Sequence, residues 1–164
     1  MKHDFLTVAL AQILSVWLDK LATITKIEKA IIEAGSKKAE LIVFGETLLP
    51  GYPFWISLTD GAQFDNKVQK EIHAHYAQNA IAIERGDLES ICRLAAKYNI
   101  AVYLGIIERP LDRGGHSLYA SLVYIDQMGK IKSVHRKLQP TYEERLTWSP
   151  RDGNGLVVHT LKAF

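Results

Sequence analysis

The sequence predicts an α/β domain in which helices are layered on a sheet. Short, β-branched apolar runs alternate with longer segments whose apolar residues recur at helical spacing. Their order is strand, helix, strand, helices, strand and then a hairpin, which calls for a mixed sheet with helices packed against it. At 164 residues the chain has room for one domain with a sizeable core and not for two.

Thr7 to Ile13 is a short apolar run, a candidate buried strand. Leu18, Leu21, Ile24, Ile27, Ile31 and Ala34 then mark one face of a helix, with Gly35 placed to terminate it. Leu41 to Phe44 is wholly apolar, as a strand covered on both faces would be. The run stops at Gly45 and Glu46, and Pro50 to Pro53 forces a loop. A second helix is expected from Asp65 to Ala82. A third runs from a cap at Asp87 to about Tyr98. Ile100 to Ile107 reads as a strand and Asp112 to Gly115 as a turn. Leu118 to Ile125 and Ile131 to His135 read as strands joined by the turn Gln127 to Lys130. A proline-bracketed loop follows between Pro140 and Pro150, and Leu156 to His159 is expected to form one more strand. The sequence ends at Phe164 without a closing helix, an ending that would leave a sheet edge or face uncovered.

Composition excludes several classes. Apolar residues make up 48% and charged residues 23%, as in ordinary globular proteins. The net charge is +2 and the basic residues are scattered, so no nucleic-acid partner is expected. No apolar run is long enough to span a bilayer, and Met1 to Asp4 leads straight into a strand rather than resembling a signal peptide. One cysteine excludes an internal disulfide, and no Cys/His cluster has metal-ligand spacing. A cytoplasmic domain without a metal is the resulting expectation.

Glu46 is the first candidate for chemistry. It follows an apolar strand at the end where α/β sheets place ligand-binding groups. Burial there would raise its pKa and suit it to general-base work, whereas a glutamate pointing to water would have no such role. Lys137, in the run His135 to Pro140, can stabilise a developing oxyanion or belong to a solvated basic cluster. Glu144 can pair with that lysine, hold a substrate or sit on a loop surface. Cys92 lies between Ile91 and Leu94 on a helix, where a small buried side chain suits it better than a nucleophile. Tyr52, Phe54 and Trp55 cluster at the first proline loop and read as pocket walls or packing anchors.

Two long blocks decide between these readings. Phe44 to Trp55 and His135 to Trp148 resemble, in the right order, two signature blocks of the nitrilase superfamily of carbon–nitrogen hydrolases, and more narrowly its nitrilase branch. Arg109-Pro110 and the segment from Leu118 to Gly129 fall between them as that family's pattern requires. The resemblance covers essentially the whole chain, as the N-terminal half of such an enzyme. It implies half of an α-β-β-α sandwich, a mixed sheet with helices on one face.

The resemblance also implies Glu46 as general base, Lys137 as catalytic cation and Glu144 as a further catalytic or structural group. Tyr52 and Trp55 would face a small nitrile substrate, and no cofactor is required. The cysteine nucleophile of the family lies in a third block beyond this sequence, so the chain is expected to be inactive alone. Self-association or pairing with a C-terminal half is expected with it. An amidase or carbamoylase of the same superfamily and a non-catalytic binding fragment are the competing readings. Arg151 stands where the family pattern has a glycine, and a positive φ there would strain the turn.

Overall fold

The computed structural model describes residues 5–162 and 164; Met1 to Asp4, read above as no signal peptide, lie outside them. Among the described residues, five strands form one mixed sheet in the order β1 (Val8–Ala11), β2 (Leu41–Phe44), β3 (Ala101–Glu108), β4 (Tyr119–Ile125), β5 (Ile131–Arg136). β1, β2 and β3 pair in parallel, and β4 and β5 add as antiparallel neighbours. Because β4 reverses the direction and β5 reverses it again, β2 and β5 run the same way. Their C-terminal ends therefore finish at the same edge of the sheet.

Helices cover one face, as expected. α1 (Lys20–Ser36) and α4 (Glu89–Tyr98) lay Ile24, Ile27, Ile31, Ile91 and Ala95 on Ile42, Phe44, Val102, Leu104, Ile106, Val123 and Ile125. Each fully buried isoleucine of α1 contributes about 1.5–3 kcal/mol. A smaller cluster joins the short α2 (Trp55–Leu58) and α3 (Lys67–Asn79) to the sheet. It holds Trp55, Tyr76, Ile107, Leu118 and Trp148. No helix among the described residues is long and apolar enough to cross a membrane.

The expected strands and helices are found with ends shifted by one to three residues, save at four places. Leu18 adopts φ 57°, so α1 starts after Asp19, whose carboxylate accepts from the Ala22 amide as an N-cap. Gly35 does not terminate α1, which ends at Ser36. A Cβ on Gly35 would sit 2.5 Å from the Tyr98 ring, so this glycine serves helix–helix contact. Asp87 does not cap α4, because its carboxylate is engaged by Lys20 at 2.8 Å and by the Ala82 amide at 2.9 Å. Leu156 to His159 form no strand. This segment instead crosses the sheet face away from α1 and α4, where His159 stacks on Tyr124 at 4.1 Å and meets Ser133 Oγ at 2.7 Å. Lys162 then reaches Glu40, just before β2. Arg151, finally, is not among the residues with positive φ, so the strain feared at that turn is absent.

Candidate active site

The residues picked from the sequence meet at the shared C-terminal edge of β2 and β5. After Phe44 the chain turns over β3 instead of continuing the ladder. Gly105, in mid-strand, makes that crossing possible: a Cβ there would lie 2.2 Å from the Gly45 carbonyl oxygen and 2.8 Å from Glu46 Cα. Thr47, buried, takes φ 52°, an uncommon conformation for a β-branched residue that turns the chain sharply past Glu46. The segment then rejoins β3, where Leu49 accepts from the Ile107 amide at 2.8 Å. Glu46 is thus held on an arch braced at both ends.

Lys137 follows β5 directly, its amide still bound to the Ala120 carbonyl at 2.8 Å. Its ammonium lies 3.1 Å from Glu46 Oε1 and 3.0 Å from Glu144 Oε2. Glu144 sits on a single 3-10 turn, Tyr142–Leu146, and closes a capping box. Its carboxylate accepts from the Thr141 amide at 2.6 Å, while the Thr141 side chain caps the turn in return. The Trp148 ring lies 5.6 Å from the Lys137 ammonium, a further cation–π support.

Partial burial works against the charge on Lys137, but the hydrogen bonds and charges of Glu144 and Glu46 outweigh it. The ammonium is held above its ordinary value. Burial likewise opposes ionisation of Glu144, and the Thr141 amide and Lys137 outweigh it to hold the carboxyl below the usual range. Glu46 departs from expectation. Its side chain is 57% exposed, because the arch carries it onto the open face of the sheet rather than into the core.

These shifts have a pH signature. Glu144, depressed in the folded chain, contributes stability at neutral pH that is lost as pH falls through its folded value. Lys137, raised, contributes stability that is lost as pH rises through its own. Thermal melts across pH are expected to show a plateau flanked by both losses, and Lys137→Met should shrink the alkaline one, to which the raised phenols of Tyr52 and Tyr76 also contribute. An unchanged alkaline limb in that variant would rule this out.

Beside the ion triad lies a cavity of about 270 Å³ lined by Glu46, Gly105, Ala120, Ser121, Leu122, His135 and Lys137. Tyr52 and Trp55 are not among its walls. Tyr52 packs edge-on against Trp148 at 5.7 Å, with its phenol pushed up by partial burial and by the Glu144 charge beside it. Trp55 is 4% exposed, sealed against Tyr76 and Trp17, and borders a separate small cavity with His73 and Leu146. The aromatic loop therefore builds the wall behind Lys137. Cys92 is half-buried on α4, its thiol pushed up by burial and by Glu89, conditions that suit packing rather than attack.

Sequence reasoning missed a second ion pair. Glu108, at the end of β3, receives Arg136 Nε at 2.7 Å and Nη2 at 2.6 Å, and Ser121 Oγ donates to it at 2.9 Å. Arg136 also lies 4.5 Å from the Tyr119 ring. The signal available was a glutamate closing an apolar strand, with an arginine one residue before the lysine and hence on the opposite face of β5.

The carbon–nitrogen hydrolase family model matches residues 7–162. Nitrilase 2 of an unknown prokaryotic organism is 35% identical over 93% of this chain and 47% of its own length. The arylacetonitrilase of Aspergillus niger is 37% identical over 92% of the chain and 41% of its own. Nitrilase 2 of Arabidopsis thaliana is 33% identical over 92% and 43%. The chain thus spans just under half the length of these relatives. An amidase from Nesterenkonia sp. AN1, solved in complex with butyramide, superposes with a TM-score of 0.64 at 19% identity. The match covers 90% of this chain and 49% of that one, a likeness of fold.

Proposed function

The chain belongs to the carbon–nitrogen hydrolase family, and on that premise we propose that it supplies the base and cation of a cytoplasmic nitrilase. In this reading it forms the N-terminal half of the catalytic unit. The observation that carries the proposal is the Lys137 ammonium set between Glu46 and Glu144 at the mouth of a cavity. The names of the relatives favour a nitrile over an amide substrate.

The nucleophile in this scheme is a cysteine brought by a C-terminal half that pairs with the open sheet face. Glu46 takes the thiol proton, and the thiolate adds to the nitrile carbon to form a thioimidate. Lys137 holds the charge on the nitrogen and then on the oxygen of the tetrahedral centre. Glu46 returns protons to the nitrogen and activates water, ammonia leaves, and a thioester remains. A second water releases the carboxylic acid and restores the thiol. Glu144, anchored by the Thr141 amide, fixes the lysine between the two events. Tyr52 and Trp55, read from the resemblance as substrate contacts, belong in this proposal to the wall behind Lys137.

The test is ammonia release from a panel of nitriles. The chain alone is expected to give none above blank. Mixed with a polypeptide carrying the cysteine-bearing half of a nitrilase relative, it should give turnover that falls about 10²–10⁴-fold with Glu46→Gln. Turnover unaffected by that change would overturn the assignment. Turnover of amides in place of nitriles would favour the amidase reading.

A further inference from the structure

We propose that His135 is a specificity residue of this pocket. It presents an Nε2–H donor to the part of the substrate remote from the reacting carbon and selects molecules with an oxygen there. The proposal rests on the reading of Glu46 and Lys137 as the reacting end.

His135 and Lys137 are two residues apart on one strand line and therefore point to the same face. Both border the cavity, together with Glu46. The register aligns Gly105 with Leu122 and Leu122 with His135, so one row crosses the cavity floor from beneath the Glu46 arch to the imidazole. A ligand lying on Leu122 with its reacting carbon at Lys137 turns its other end toward His135, about 7 Å along the strand.

The ring itself points to a ligand. His135 Nδ1 is sealed from solvent with no hydrogen-bond partner among the described residues, and it is the one buried side-chain polar atom there in that state. Nε2 is not sealed. The turn Gly153–Gly155 closes the outer side of β5 so tightly that a Cβ on Gly155 would lie 2.6 Å from His135 Cα. A neutral imidazole in this setting keeps its proton on Nε2, because a buried N–H without an acceptor is rarer and costlier than an unused lone pair. Of the remaining walls, Leu122 and Ala120 offer no side-chain hydrogen bond, and the Ser121 hydroxyl is turned to Glu108 on the other face of the sheet. An oxygen on the substrate is therefore the natural acceptor, in a hydroxyl, ether or carbonyl substituent.

The tautomer is read directly by long-range ¹H–¹⁵N correlation on the labelled chain, with no turnover required. The expected result is a protonated Nε2 and a bare Nδ1 at His135; a protonated Nδ1 overturns the proposal. Titration with two amides then separates the two readings. 4-Hydroxybutyramide should shift His135 Nε2 and bind about fivefold tighter than butyramide, while both shift the Glu46 and Lys137 side chains. His135→Gln, which can place an amide donor near the Nε2 position, should keep the preference, and His135→Leu should remove it. Equal binding of the two amides with shifts at Lys137 overturns the His135 role alone. Failure of either amide to shift Glu46 and Lys137 overturns the pocket reading, and this proposal with it.

Discussion

Replacing Gly105 with alanine is expected to destabilise the chain by about 3 kcal/mol, the upper end of the usual range for overpacking. The atoms nearest the new methyl group would be main-chain atoms of Gly45, Glu46 and Thr47, which cannot swing aside as a side chain can. Either β3 shifts, breaking its pairing with β2, or the arch lifts and takes Glu46 away from Lys137. Chemical denaturation measures the first. The loss of the Lys137 raised titration, followed by NMR, measures the second. A variant within about 0.5 kcal/mol of the parent that retains the Glu46–Lys137 contact would show that the arch is not braced as described.

Glu108→Ala is the other severe change. It leaves the Arg136 guanidinium, only 16% exposed, beside an empty space, and breaking a buried pair in this way costs up to about 3–5 kcal/mol. The paired substitution of Glu108 by leucine and Arg136 by methionine should recover most of that loss, because no uncompensated charge remains. A double-mutant cycle in denaturant gives the coupling. If Glu108→Ala alone costs less than about 1 kcal/mol, the pair does not hold β5 against β3. The location makes the result informative beyond stability. Arg136 is gripped from the helix-covered side of β5 while Lys137, next in sequence, reaches past the strand end toward Glu46. The grip fixes the register from which the lysine projects.

Much of this arrangement was legible in the residues. Runs such as Leu41 to Phe44 and Ile100 to Ile107 must be strands because they are too short and too apolar for anything else in a layered domain. The face of α1 is written in its isoleucines. Glu46 and Lys137, unremarkable singly, became readable once the two blocks around them were taken together.

What stayed hidden depended on contacts between distant segments. Nothing local distinguishes a glycine that caps a helix from one that admits a tyrosine ring, and Gly35 does the latter. Asp87 has the composition of a cap, but its carboxylate is claimed by Lys20. Leu156 to His159 has strand-like residues and no neighbouring ladder to join, since β5 is bordered there by the Gly153–Gly155 turn. The aromatic loop left Trp55 open between pocket wall and packing anchor, because the Tyr76 ring that packs on it comes from the distant α3. The exposure of Glu46 follows from the arch over Gly105, a crossing that no periodicity encodes.

The common direction of β2 and β5 has a consequence for how the molecule comes to its final state. Glu46 and Lys137 meet only when the parallel β2–β3 pair and the whole β3–β4–β5 meander are in register. Contacts between such remote parts of a chain close late, since the intervening loop entropy must be met before they contribute. The salt link between them is therefore a natural reporter of folding completion. Its signal in a refolding experiment is expected to trail the formation of the β4–β5 hairpin, whose partners are adjacent in sequence.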